Sequence, residues 1–157
     1  MSTRLTKKGV PLVESRALQL IQNASRLHDA SAWYLSKRLV DMGHTSVTPS
    51  LLSFLGVLEC GVNYASEIAR TLGVTRQMVA KTVKELCRLG YLEQLDGAGK
   101  QKPIVFTETG EGLMADARQL LAEADAFLFG SMTDGEVKAL LAGLKTITDA
   151  FGDGRGA

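Results

Sequence analysis

A mainly α fold with one β-hairpin is predicted by three observations. Between Asn63 and Thr107, two short amphipathic segments separated by Gly73 run directly into two strand-forming segments. On either side of them, residues 13–42 and 107–152 carry long stretches of apolar residues at helical spacing. The chain of 157 residues is 45% hydrophobic, enough for one domain with a substantial core.

Met1 to Leu12 carries Arg4, Lys7 and Lys8 with Gly9 and Pro11, and is expected as an arm that is either solvated or laid on a phosphate backbone. From Val13 to Met42 one long helix is predicted. Its main stripe is Leu20, Ala24, Leu27, Ser31, Tyr34 or Leu35, and Met42, with Ala17, Ile21 and Leu39 beside it. Gly43-His44-Thr45-Ser46 ends it. Thr48 then caps a second helix with Pro49 at its first position, where a missing amide hydrogen costs nothing. That helix is expected to bury Phe54, Leu55 and Leu58 and to end at Cys60-Gly61.

The next helix places Ala65, Ile68, Ala69 and Leu72 on one face and stops at Gly73. Thr75 can cap a following helix over residues 76–89, which buries Val79, Val83 and Leu86 and shows Arg76, Gln77, Lys81 and Lys84. Two short helices joined by a glycine-containing turn form a helix-turn-helix, whose second helix enters the DNA major groove. After Gly90 the period becomes extended. Tyr91 to Leu95 and Pro103 to Thr107 flank the turn-prone Asp96-Gly97-Ala98-Gly99 as a hairpin, so the whole reads as a winged helix-turn-helix. Beyond it, Thr107 or Thr109 opens a long helix carrying Leu113, Ala117, Leu120, Leu121, Ala124 and Leu128. Thr133 with Glu136 makes a capping box for a last helix through Val137, Leu140, Leu141, Leu144 and Ile147, followed by a frayed tail from Gly152.

The run Ser66-Glu67-Ile68-Ala69, Leu72 to Arg76, Val79 to Val83, Leu86, Leu89-Gly90-Tyr91-Leu92-Glu93, and Phe106-Thr107-Glu108-Thr109-Gly110 with Leu113 resembles the MarR family of bacterial transcription regulators. Gly43 with Val47-Thr48-Pro49 upstream, and Met132 to Glu136 with Leu140-Leu141 downstream, extend the resemblance across most of the chain. It implies a single MarR-like domain over residues 1–157. Residues 13–46 and 108–152 would be its dimerisation helices, and residues 48–107 its winged helix. It further implies a homodimeric, sequence-specific regulator, most often a repressor, on a palindromic double-stranded DNA operator. The apolar stripes give a second, independent reason to expect a partner copy, although a three-helix cap within one copy would also bury them.

The same resemblance implies a small aromatic or phenolic effector bound between the dimerisation helices and the winged helix. Trp33, Tyr34, Arg38 and His44 are the candidates for it, combining an apolar wall with cationic partners; core packing, an interface and a loop cap are the competing roles. Two departures stand out. The family's wing usually carries Asp-x-Arg and further arginines, whereas Asp96 is followed here by Gly97-Ala98-Gly99-Lys100-Gln101-Lys102. Lysine lacks the planar fork of arginine, so phosphate contact is expected of this wing instead of minor-groove reading. Tyr64 stands where the family often has a small capping residue, and Asn63 is expected to take over that cap.

The DNA-binding candidates are Thr75, Arg76, Gln77, Lys81 and Lys84 on the second helix of the motif, with Lys100 and Lys102 on the wing. Arginine suits guanine, glutamine suits adenine, and lysines mainly meet phosphates. Net charge is only +1, but its distribution is uneven. Residues 64–102 hold seven basic side chains against four acidic, and residues 108–153 hold nine acidic against three basic, which would orient the molecule on a polyanion.

No secretory signal or membrane-spanning run is seen, and the widely spaced Cys60 and Cys87 are expected as reduced thiols in a cytoplasm. His28, His44 and Cys60 lack metal-ligand spacing, and no cofactor motif appears. An enzyme is not expected, because there is no phosphate loop, metalloprotease helix or nucleophile elbow and only two histidines. Two other readings remain open: a winged helix that binds only protein, and a redox-sensing regulator using Cys60 or Cys87.

Overall fold

A computed structural model describes residues 15–96 and 102–153. The arm at residues 1–12, the hairpin tip with Lys100, and the tail beyond Asp153 lie outside the described residues. The element order is α1 (Arg16–Asp41), α2 (Pro49–Leu55), α3 (Ala65–Leu72), α4 (Arg76–Arg88), β1 (Leu92–Gln94), β2 (Ile104–Phe106), α5 (Glu108–Phe129) and α6 (Asp134–Asp153). The chain divides into two compact units, Met1–Leu113 and Met114–Ala157, so that the boundary falls within α5.

In the first unit α1 packs on α2, α3 on α4, and α4 on β1. Ser15 caps α1 by accepting from the Leu18 amide at 3.3 Å. The buried face of this helix is not the expected stripe. Ala32, Ser36 and Leu39 are buried at i, i+4 and i+7, of which only Leu39 was expected, beside the stripe, and the Ser36 hydroxyl donates to the Trp33 carbonyl at 3.0 Å. On the stripe itself Leu20, Ser31, Tyr34 and Leu35 are half-buried and Ala24 and Met42 are exposed. Leu27, expected on the stripe, is 59% exposed, and Leu18 and Ile21 are exposed as well.

Thr48 and Pro49 start α2 as anticipated, with the Leu51 amide donating to Thr48 Oγ1. The helix is shorter than its apolar spacing suggests. It is capped at Gly56, and the bonds tighten to Val57 N–H on Phe54 O and Leu58 N–H on Leu55 O before the chain turns away. Phe54 and Leu55 are buried, whereas Leu58 is only half-buried.

The loop after α2 is closed by Asn63. Its side chain accepts from the Glu59 amide at 2.9 Å and donates to the Glu59 and Gly61 carbonyls. Its backbone exchanges two hydrogen bonds with Ile104, of 2.9 and 2.8 Å, adding a single rung beside β2. This overturns the expectation that Asn63 caps α3. The N-cap is Tyr64, without a side-chain bond, because the Asn63 amide is fully occupied in its own loop.

At the far end of α3, Gly73 takes the left-handed conformation at φ 65°, which a residue with a Cβ adopts only at a cost. Val79, Val83 and Leu86 of α4 are buried together with Ile68 and Ala69 of α3. The hairpin pairs Leu92 with Phe106, Glu93 with Val105 and Gln94 with Ile104, antiparallel. At its base the Thr107 amide donates to the Tyr91 carbonyl, and the Thr107 hydroxyl donates to Gly90 O while accepting from the Gly110 amide, which starts α5. Gly110 is buried, and a Cβ there would lie 2.0 Å from the Tyr91 carbonyl oxygen, so the close approach of α5 to the wing requires glycine.

In the second unit Ala117, Leu120 and Ala124 of α5 are buried, while Leu121 and Leu128 are exposed. The capping box forms: Thr133 N–H donates to Glu136 Oε2 at 2.8 Å and Glu136 N–H to Thr133 Oγ1 at 3.3 Å. Helix α6 continues through Gly152 and Asp153, where a frayed tail was expected. Leu140, Leu141, Leu144, Ile147 and Phe151 all stand exposed on it.

Candidate nucleic-acid interface

Helix α4 begins where Thr75 Oγ1 accepts from the Met78 amide at 3.2 Å. Since Val79, Val83 and Leu86 fill the inward side, the helical period sends Gln77, Lys81, Lys84 and Arg88 down one outward column. Gln77, Lys81 and Lys84 are exposed. Arg76 is exposed too, but it shares its column with Ala80 and Val83, at the margin of that surface.

One member of the outward column is paired with a neighbour outside it. Arg88 makes a forked contact with Glu85, with Nε to Oε2 at 2.9 Å and a terminal nitrogen to Oε1 at 2.6 Å. The pairing lowers the Glu85 pKa and raises that of Arg88, first through the hydrogen bond and then through charge. Arg76, Lys81 and Lys84 have no ion pair among the described residues, so the uncompensated positive charge of α4 is theirs, with the two lysines on the outward column. On the wing, Lys102 is exposed and lies 3.9 Å from the Asp96 carboxylate. Two further residues of α4 belong to this surface, Met78, which is apolar, and Arg88, which lies in the last turn; neither fits the lysine, arginine and glutamine pattern expected of the first turns, and their place on α4 was the available signal.

Of the effector candidates, the structure brings two together: the Arg38 guanidinium lies over the Tyr34 ring, 5.9 Å from its centroid, at cation–π distance. Trp33 is 66% exposed one position along, and half-buried His44 sits in the turn after α1 with its amide on the Leu39 carbonyl. A cavity of about 350 Å³ lies elsewhere, lined by Glu59, Asn63, Tyr64, Glu67 and Arg70 among others, and none of the four effector candidates borders it.

Burial, reinforced by the Glu93 carboxylate, pushes the Cys87 thiol above its ordinary pKa, which disfavours the reactive thiolate. Cys60 is exposed. Among the described residues no cluster of three metal-ligating side chains occurs, and no helix is long and apolar enough to cross a membrane.

The sequence matches no family model, and no curated protein matches it. Solved structures do match. A MarR-family transcriptional regulator from Rhodococcus sp. RHA1 is 21% identical, with a TM-score of 0.65 over 86% of this chain and 96% of its own. The apo form of MarR from E. coli is 18% identical, with a TM-score of 0.67 over 87% and 98%. Streptococcus pneumoniae FabT, solved in complex with DNA, is 14% identical, with a TM-score of 0.73 over 87% and 98%. The fold is that of the MarR-family transcriptional regulators. In that fold α3 and α4 are the helix-turn-helix and the β1–β2 hairpin is the wing.

Proposed function

We propose that the protein is a sequence-specific DNA-binding transcriptional regulator, acting as a homodimeric repressor on a palindromic operator. The observation that carries this reading is the outward column of α4, where Gln77 lies between an N-terminal cap and two unpaired lysines. Glutamine can address adenine, and Lys81 and Lys84 can neutralise phosphates. The fold shared with FabT, whose structure contains DNA, supports the same use of this helix.

The homodimer is supported by α1 and α6, each of which leaves a run of large apolar side chains in water: Leu18, Ile21 and Leu27 on the first, and Leu140, Leu141, Ile147 and Phe151 on the second. In this reading α1, α5 and α6 are dimerisation helices, and the two copies of α4 sit about one turn of DNA, ~34 Å, apart.

Selection of bound duplexes from a random pool with purified protein tests it. An enriched palindrome is expected, with affinity falling on a log–log salt slope near −5 if about six phosphates are neutralised. Absence of duplex affinity at low salt overturns the reading in favour of a module that binds only protein.

Release by a small aromatic or phenolic acid is proposed for the group of Trp33, Tyr34, Arg38 and His44. The Arg38–Tyr34 stack supports it by placing a cation on an aromatic face beside an exposed indole. Calorimetric titration with salicylate should give heat with the wild type and much less with Arg38→Ala; equal or absent heats overturn it.

A further inference from the structure

Met78 is the one large apolar side chain exposed on α4, at 57%. Its helix buries Val79, Val83 and Leu86, and Met78 stands about 80° round the axis from Leu86, beside the outward column, so its side chain is outside the core. Its backbone, by contrast, is held at both ends: its amide donates to Thr75 Oγ1, and its carbonyl accepts from the Thr82 hydroxyl at 3.2 Å. The result is an unbranched thioether with three rotatable bonds on a fixed anchor in the first turn of the helix, flanked by Gln77 and Lys81. In a helix-turn-helix these N-terminal positions of the second helix reach base edges.

The major groove offers one apolar feature to such a side chain, the 5-methyl group of thymine. We propose that Met78 is a specificity-determining residue that packs on a thymine methyl group in the major groove of the operator. This rests on the DNA-binding reading above, and it adds a requirement that Gln77, Lys81 and Lys84 do not impose. Those residues address hydrogen-bonding edges and phosphates, whereas Met78 distinguishes thymine from uracil, which share every hydrogen-bonding group.

The test replaces each thymine of the selected duplex in turn by deoxyuridine, removing only the methyl group. The wild type should lose about four-fold in affinity at one symmetry-related position in each half-site, the value expected for one buried methyl group. Met78→Ala and Met78→Gln should bind the thymine and uracil duplexes alike, while Met78→Leu, apolar and of similar size, should retain the preference. Circular dichroism should show all three variants folded, since the side chain is outside the core. A wild type that binds the duplex but ignores every methyl group, or Met78→Ala and Met78→Gln variants that keep its preference, overturn the assignment alone. A wild type that binds no duplex overturns the DNA-binding reading and this assignment with it.

Discussion

The phenol of Tyr91 donates a 2.8 Å hydrogen bond to the carbonyl of Thr45, joining the start of the wing to the turn after α1 across 46 residues of chain. The ring is buried, and the bond satisfies its only polar atom. Tyr91→Phe keeps the ring and removes the donor. It should cost about 1 kcal/mol in urea denaturation, the usual net value of one such bond.

Gly110 and Gly112 lie two residues apart on α5 and should answer alanine substitution in opposite ways. A Cβ at Gly110 meets the Tyr91 carbonyl oxygen at 2.0 Å and Phe106 Cδ1 at 3.1 Å, whereas nothing lies within 4 Å of one at Gly112. Gly110→Ala should destabilise by about 2–3 kcal/mol through forced backbone displacement. Gly112→Ala should be neutral or stabilise by roughly 0.5–1 kcal/mol, because alanine loses less entropy in a helix. Paired thermal melts decide this.

Lys81→Ala and Lys84→Ala should weaken binding about equally across duplex sequences, each reducing the salt slope by about 1. Arg88→Ala should change the slope less, because its charge is already matched by Glu85. Fluorescence anisotropy titrations over a range of salt would show a reversed order if Arg88 were the principal phosphate contact.

The Glu136 carboxyl is held below its ordinary pKa, first by the Thr133 amide and then by the Thr133 hydroxyl. A carboxylate with a lowered folded pKa contributes stability above its unfolded pKa and loses it as pH falls through the folded value. The start of α6 should therefore loosen as pH drops below the ordinary carboxylate range. Glu136→Gln should remove that part of the pH dependence; amide exchange at the Thr133 position, compared after correction for intrinsic rates, would show identical pH profiles if the cap contributed nothing.

The helix-turn-helix was legible in the sequence because its boundaries are set by local chemistry: Gly73 in a left-handed turn, Thr75 as a cap, and apolar spacing at Ile68, Val79 and Val83. Thr48-Pro49 and Thr133 with Glu136 were readable for the same reason. Asn63 was misread because its partners depend on the folded loop and on Ile104, 41 positions away. The end of α2 was misjudged because Leu58 keeps helical spacing after the hydrogen bonds have tightened. The stripe of α1 predicts burial that one copy does not supply, since spacing identifies an apolar face without identifying what covers it. At the candidate site, charge marks Lys81 and Lys84 in the sequence but carries no sign of Met78, and the turn of Arg88 to Glu85 depends on a rotamer that spacing does not fix.

Asn63 has a mechanical consequence. It stitches the approach to α3 onto Ile104, the first residue of β2, while the last residue of that strand leads straight to Thr107 and the first turn of α5. Three residues of backbone thus serve as a common splint for the hairpin, the start of the helix-turn-helix and the root of α5. The wing cannot swing on a hinge of its own; to tilt it against α3, two backbone hydrogen bonds must first be unzipped.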